Sequence, residues 1–130
     1  MEVSEEYTNT DEFLEEYKKL AADSDDFYIL QFCGTFEADG TSWCGDCVVA
    51  KPVIANVIAN TTAKKMLRAA VTRAEWRGNA EHPYKKHPIL QVAGVPTLLL
   101  CKGDTVMCRA DDLDEHFANE GVMEGFIDLE

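Results

Sequence analysis

The chain has 130 residues, the length of one domain able to bury a core without disulfide staples. Its 24 acidic and 12 basic residues give a formal charge of −12, which argues against nucleic acid and anionic membranes as partners, because both recruit basic patches. The start, Met1-Glu2-Val3-Ser4-Glu5-Glu6, lacks the basic and apolar regions of a signal peptide, no apolar run approaches membrane-spanning length, and five cysteines do not suit a fully paired secreted framework, so a soluble cytoplasmic protein in a reducing compartment is expected.

Acidic residues gather between Glu2 and Asp26 and again from Asp111 to Glu130, a pattern of solvated helix faces. Thr10 can cap a first helix with Asp11 and Glu12 in its first turn and Phe13, Leu14, Tyr17, Leu20 and Ala21 at helical spacing. Asp23-Ser24-Asp25-Asp26 ends it. Phe27 to Cys33, apolar with little alternation, reads as a buried central strand, and the loop Gly34 to Ser42 follows. From Cys47 to Ala59 the run is helical by spacing and length, with Pro52 inside it to kink it. Leu67 to Thr72 suits a second buried strand, parallel to the first through a right-handed crossover. Ala80 to Lys86 can hold a short helix that Pro88 limits. Val95–Cys101 and Thr105–Arg109 form a predicted antiparallel hairpin about Gly103-Asp104, and a last helix runs from about Asp111 to Ile127 with Leu113, Phe117, Val122 and Phe126 inward, weakened by Gly121 and Gly125.

The chemistry concentrates in Trp43-Cys44-Gly45-Asp46-Cys47. Two thiols separated by two residues can close a small disulfide ring and reopen it without moving the chain. A helix starting at the first cysteine turns its unpaired N–H groups toward the sulfur and favours thiolate, the form that attacks disulfides. A CxxC pair also begins many zinc sites, but a structural zinc needs four ligands and no second CxxC, CxxH or HxxxH pair occurs, so no metal is expected. Cys33, Cys101 and Cys108 read as buried apolar side chains, with a regulatory disulfide between Cys101 and Cys108 conceivable only if the hairpin register made them partners. His82, His87 and His116 have no companion that gives them chemistry.

A βαβ half with WCxxC at a strand-to-helix turn, a proline five residues beyond the second cysteine, and a later Val95-Pro96-Thr97 before a hairpin and terminal helix resembles the thioredoxin fold, an α/β architecture with a central mixed sheet flanked by helices. The resemblance covers nearly all of residues 1–130 as one thioredoxin-like domain. Asp46 where ordinary thioredoxins carry proline, and the long Gly34–Ser42 insertion, make the chain similar to the thioredoxin-related proteins of 14 kDa, also called the thioredoxin domain-containing protein 17 family. Members typically carry WCPDC, so Gly45 is a departure.

This resemblance implies a cytosolic protein-disulfide reductase with no bound cofactor, drawing electrons from NADPH through thioredoxin reductase and acting on disulfide-containing proteins or small disulfides such as cystine. Cys44 would be the nucleophile and Cys47 the resolving thiol, with a Cys44–Cys47 disulfide in the oxidised form. Trp43 would shield the disulfide, against plain core packing as the alternative. Asp46 opposes thiolate formation by like charge while the helix dipole favours it; otherwise it is a solvent-exposed aspartate that the dipole suits. Pro96 matches the family's cis-proline, which would set Val95 backbone groups beside Cys44. Gln31 stands where ordinary thioredoxins bury an aspartate. Glu37, Asp39 and Ser42 either border the site or lie on a plain surface loop. The competing reading is a redox-dependent binding module that docks a partner with little turnover.

Overall fold

The computed structural model describes residues 1–23 and 25–129; Ser24, part of the stretch expected to end the first helix, and Glu130 lie outside the described residues. Its strands are β1 (Glu2–Tyr7), β2 (Phe27–Gly34), β3 (Lys65–Val71), β4 (Thr97–Lys102) and β5 (Thr105–Ala110). The helices are α1 (Thr10–Asp23), α2 (Gly45–Asn60), α3 (Arg73–Trp76), α4 (Pro83–Lys86) and α5 (Glu120–Ile127), with a π-helical turn at Leu113–Phe117. The sheet order is β1-β3-β2-β4-β5, with β1, β2 and β3 parallel and β4 and β5 antiparallel to their neighbours.

β2 explains the layering. Its side chains alternate between two faces, and both are covered. Ile29 and Cys33 join the apolar layer shared with Ala50, Ile54 and Val57 of α2 and with Met123 and Phe126 of α5. Tyr28, Leu30 and Phe32 join Phe13 and Tyr17 of α1 and Tyr84 of α4. A strand buried on both sides needs an almost continuous apolar run, which is the pattern from Phe27 to Cys33. On the α1 side, Phe13 packs edge-on against Phe32 and Tyr84, each at 5.3 Å between ring centroids, and all three are fully buried.

Several elements differ from the sequence expectation. β1 was not foreseen: its acidic residues lie on an edge strand beside β3, not on a helix face. Asn9, one residue before Thr10, caps α1, its side-chain oxygen accepting from the Glu12 N–H at 3.0 Å. β3 begins at Lys65 and ends at Val71, because Thr72 leaves the strand to cap α3 in a reciprocal capping box with Glu75. The short helix expected from Ala80 forms only from Pro83, where His82 caps it and proline is suited to the first turn. β4 starts at Thr97, leaving Val95 and Pro96 in the preceding loop. The expected terminal helix is two pieces: Asp112 caps the π-helical turn, and Asn119 restarts the chain by accepting from the Val122 N–H at 3.2 Å.

The hairpin forms as expected, with Gly103 at φ 59° in its turn, where glycine carries no side-chain penalty. Cys101 lies opposite Val106 and Cys108 opposite Leu100, so the register does not make the two cysteines partners. Among the described residues no helix is long and apolar enough to cross a membrane.

Phe13→Ala should lower the unfolding free energy by about 3–5 kcal/mol, since it empties the junction of α1, β2 and α4. Denaturant unfolding followed by circular dichroism measures this; a loss below about 1 kcal/mol would mean that the junction collapses onto the space without penalty.

Candidate redox site

Cys44 is the N-cap of α2, extended at φ −97° and ψ 96°, and the helix begins at Gly45. The first cysteine therefore precedes the helix by one residue. That placement turns the Cys47 N–H onto Cys44 Sγ at 3.1 Å, so one of the helix's unpaired donors serves the sulfur itself. Cys44 and Cys47 form a disulfide with their α-carbons 5.2 Å apart. Cys44 keeps 6% of its surface exposed and Cys47 none, so the outer sulfur is the one a partner meets.

The tip of β2 supports the pair from below. The Gly34 N–H lies 3.3 Å from Cys47 Sγ. A β-carbon built on Gly34 would stand 2.8 Å from Cys44 Cβ and 2.8 Å from Trp43 Cε2, inside van der Waals contact, so only glycine admits this approach. Trp43 is half-buried and donates its indole N–H to the Val71 carbonyl at 3.1 Å. Its ring packs against both apolar layers, one of which includes Cys44 and Cys47. Ser42 Oγ accepts from the Cys44 N–H at 3.1 Å and donates to the Thr35 carbonyl at 2.7 Å, tying the cysteine to the start of the loop.

That loop is a small closed structure: Phe36 bridges Ser42, the Glu37 N–H donates to the Thr41 carbonyl at 2.8 Å, and Gly40 takes φ 87°. The Thr41 hydroxyl and N–H hold the Asp39 carboxyl below its ordinary range. Of the loop residues singled out in the sequence, Ser42 reaches the cysteines, while Glu37 and Asp39 do not line the cleft beside them.

The Val95–Pro96 peptide bond is cis. It sets the Val95 carbonyl 3.6 Å from Cys44 Sγ. In the disulfide no proton lies between them; in the dithiol form the Cys44 thiol can donate there. Next to this pair opens a cleft of about 370 Å³. Its lining combines Trp43, Cys44, Gly45, Asp46 and Val95 with Trp76, Arg77, Gly78 and Lys85. Gly45 has open space around its missing β-carbon, so the backbone here does not demand glycine. Asp46 is exposed in the first turn of α2, where the helix dipole suits a carboxylate.

The sequence alone does not single out Gly34, nor Trp76, Arg77 and Lys85 of the cleft lining. In the sequence pattern Gly34 opens a loop, and nothing short of its packing reveals its role. Trp76, Arg77 and Lys85 lie far along the chain from the cysteines and reach them only because α3 and α4 follow β3. Gln31 lies between Ile29 and Cys33 on the α2 face of β2, where its side-chain amide donates to Cys33 Sγ at 3.2 Å. The histidines serve the backbone. His82 Nδ1 accepts from the Tyr84 N–H while its Nε2 stands 3.4 Å from Glu75, and His87 and His116 accept N–H groups of their own turns. Glu75 is half-buried, which pushes its carboxyl up, but hydrogen bonds from Thr72 and His82 prevail and hold it low.

The other thiols are poorly suited to exchange. Burial pushes Cys33 up to about 11 against the hydrogen bond from Gln31, and pushes Cys101 up to about 12 against its bond with Tyr28. Burial raises Cys108 as well. After reduction, brief iodoacetamide treatment at pH 7 should therefore alkylate Cys44 faster than any of the other four cysteines, by about tenfold or more. Peptide mass spectrometry gives the order, and earlier labelling of Cys101 or Cys108 would contradict it.

Comparison with known proteins agrees with this geometry. The sequence model described as "Thioredoxin domain-containing protein 17-like, thioredoxin domain" matches residues 5–126. The chain is 37% identical over 91 residues to the thioredoxin-like protein Clot of Arabidopsis thaliana, covering 68% of this chain and 67% of that protein. It is also 48% identical over 67 residues to a Leishmania braziliensis protein named acireductone dioxygenase, but spans only 20% of that protein and matches over 47% of its own length. Among solved structures, oxidised thioredoxin O1 of Arabidopsis thaliana superposes with a TM-score of 0.59 at 21% identity, over 98% of this chain and 100% of that one, a likeness that shows the fold. With the cysteine pair, the cis-proline loop and the sheet order all in one frame, the chain belongs to the thioredoxin domain-containing protein 17-like family.

Proposed function

We propose that the protein is a thiol–disulfide oxidoreductase working as a disulfide reductase, with Cys44 as nucleophile and Cys47 as resolving thiol. The observation that carries this reading is the Cys44–Cys47 disulfide at the N-terminus of α2, its outer sulfur facing an open cleft and its inner sulfur fully buried.

In the reduced protein the Cys44 proton leaves and the thiolate remains, favoured by the Cys47 N–H and the dipole of α2. The thiolate attacks one sulfur of the substrate disulfide, forming a mixed disulfide and releasing the other substrate sulfur, which takes up a proton. Cys47 then loses its proton and attacks Cys44 Sγ, closing the Cys44–Cys47 bond and releasing the second substrate thiol. Two electrons pass from the dithiol to the substrate. The Gly34 N–H beside Cys47 Sγ stabilises negative charge on that sulfur as it becomes the attacking group. Val95 offers backbone hydrogen-bonding groups to the partner's chain next to Cys44. Asp46 adds a negative charge to the same mouth and sets thiol acidity against the helix dipole. The family relationship supports thioredoxin reductase, fed by NADPH, as the electron donor, small disulfides such as cystine among the substrates, and the cytoplasm as the compartment.

NADPH consumption with thioredoxin reductase, on cystine and on insulin, should require Cys44 and favour cystine; Cys44→Ser should lower turnover by at least about a thousandfold. Cys47→Ser should accumulate a mixed disulfide with the substrate, visible as a mass shift that reductant removes. Normal turnover by Cys47→Ser would overturn the two-cysteine mechanism.

A further inference from the structure

The charge of the cleft runs against that of the chain. The chain carries twice as many acidic as basic residues, yet the cleft beside Cys44 holds two cations, Arg77 and Lys85, and one carboxylate, Asp46. Elsewhere Lys18, Lys19, Lys65, Arg68 and Lys86 stand in ion pairs with glutamates. Among the described residues neither cleft cation has an ion pair, as is true also of Lys51 and Arg109; the cleft pair differs in standing beside Cys44. The Lys85 ammonium rests 4.4 Å over the Trp76 ring and donates to the Trp76 carbonyl at 2.8 Å, which fixes its position and leaves its charge unneutralised. Arg77 is exposed, and its guanidinium makes no ion pair or side-chain hydrogen bond among the described residues. Two cations in the lining of a cleft that also holds Cys44 raise the local concentration of anions there and hold a carboxylate by charge-assisted hydrogen bonds.

We propose that Arg77 and Lys85 are an anion-selecting wall of the redox cleft, and that the preferred substrates are small disulfides carrying a carboxylate near the S–S bond. This rests on the reductase reading above. The carboxylate docks on Arg77 and Lys85 while the adjacent sulfur meets Cys44. Asp46, in the same lining, accepts an ammonium group when the substrate has one, which orients an amino-acid disulfide. Electrons and protons move as in the proposed reduction: the dithiol becomes a disulfide and the substrate disulfide becomes two thiols.

The test uses pre-reduced full-length protein and single-turnover rates on dithiodipropionate, which carries a carboxylate at each end, neutral hydroxyethyl disulfide, and dicationic cystamine. The wild type should reduce them in that order. Arg77→Gln, at an exposed position without partners, should lower the dithiodipropionate-to-hydroxyethyl ratio about threefold, and Arg77→Gln with Lys85→Gln about tenfold. Arg77→Glu should move the preference toward cystamine, and high salt should shrink the wild-type ratio. A ratio unchanged in Arg77→Gln and Arg77→Glu overturns the proposal, and so does an equal slowing on all three disulfides, which would place Arg77's influence on Cys44 itself. Hydroxyethyl disulfide carries no carboxylate, so failure to reduce it would count against the reductase reading, while reduction of it without charge preference would count against the selecting wall alone.

Discussion

The meeting of Gly34 with the cysteine pair is the constraint from which the rest of the site follows. Gly34 ends a strand covered on both faces, so the position of its backbone is fixed by the two apolar layers on either side of β2. Because it lacks a side chain, Cys44 Cβ and the Trp43 ring close over it. Its N–H meets the inner sulfur, while the carbonyl of Val71, at the end of β3, receives both the Trp43 indole and the Thr35 N–H. The sheet therefore positions the disulfide through backbone groups, whose places are held by the core. A redox centre built this way keeps its geometry when its sulfurs change state, since none of these supports involves the S–S bond itself.

Around that anchor the site is assembled from parts with opposing charge preferences. The N-terminus of α2 offers positive potential to Cys44, and Asp46 sits in the same turn with a negative charge. In the same cleft lining Lys85 is fixed over Trp76, and Arg77 has no ion pair among the described residues. The acidic surface is thus interrupted beside the cysteine pair. Long-range repulsion from the rest of the molecule and short-range attraction in the cleft act on different scales, the first screened by salt within roughly 10 Å and the second held at contact. Such a surface admits a compact anion more readily than a large acidic protein.

Much of this was legible in the chain because burial leaves a pattern. β2 is apolar at nearly every position since both its faces are covered, α1 shows helical spacing since one face is covered, and the cysteine spacing is explicit. β1 leaves no such trace: in Glu2–Tyr7 the side chains are mostly exposed and charged, and the strand is held by backbone pairing with β3. The interruption between the last two helical pieces depends on the Asn119 side chain capping a new helix, a local choice that two downstream glycines only hint at. Cys44 and Cys47 were visible from spacing and Val95 and Pro96 from resemblance. Gly34, Arg77 and Lys85 acquire meaning only when distant segments are brought together, and no short window of sequence contains that information.

The acidic edge strand has a consequence for how copies of this protein meet one another. The sheet is open at β1 and β5, and an open edge offers unpaired backbone groups to any strand that approaches. At β1 that approach must pass Glu2, Glu5 and Glu6, and the pairing register shifts between Val3 and Glu6. Two copies docking β1 against β1 would set these carboxylates beside one another, Glu2 and Glu6 already paired with Lys65 and Arg68 of their own sheet, so β1 resists serving as the edge on which a second copy's sheet continues.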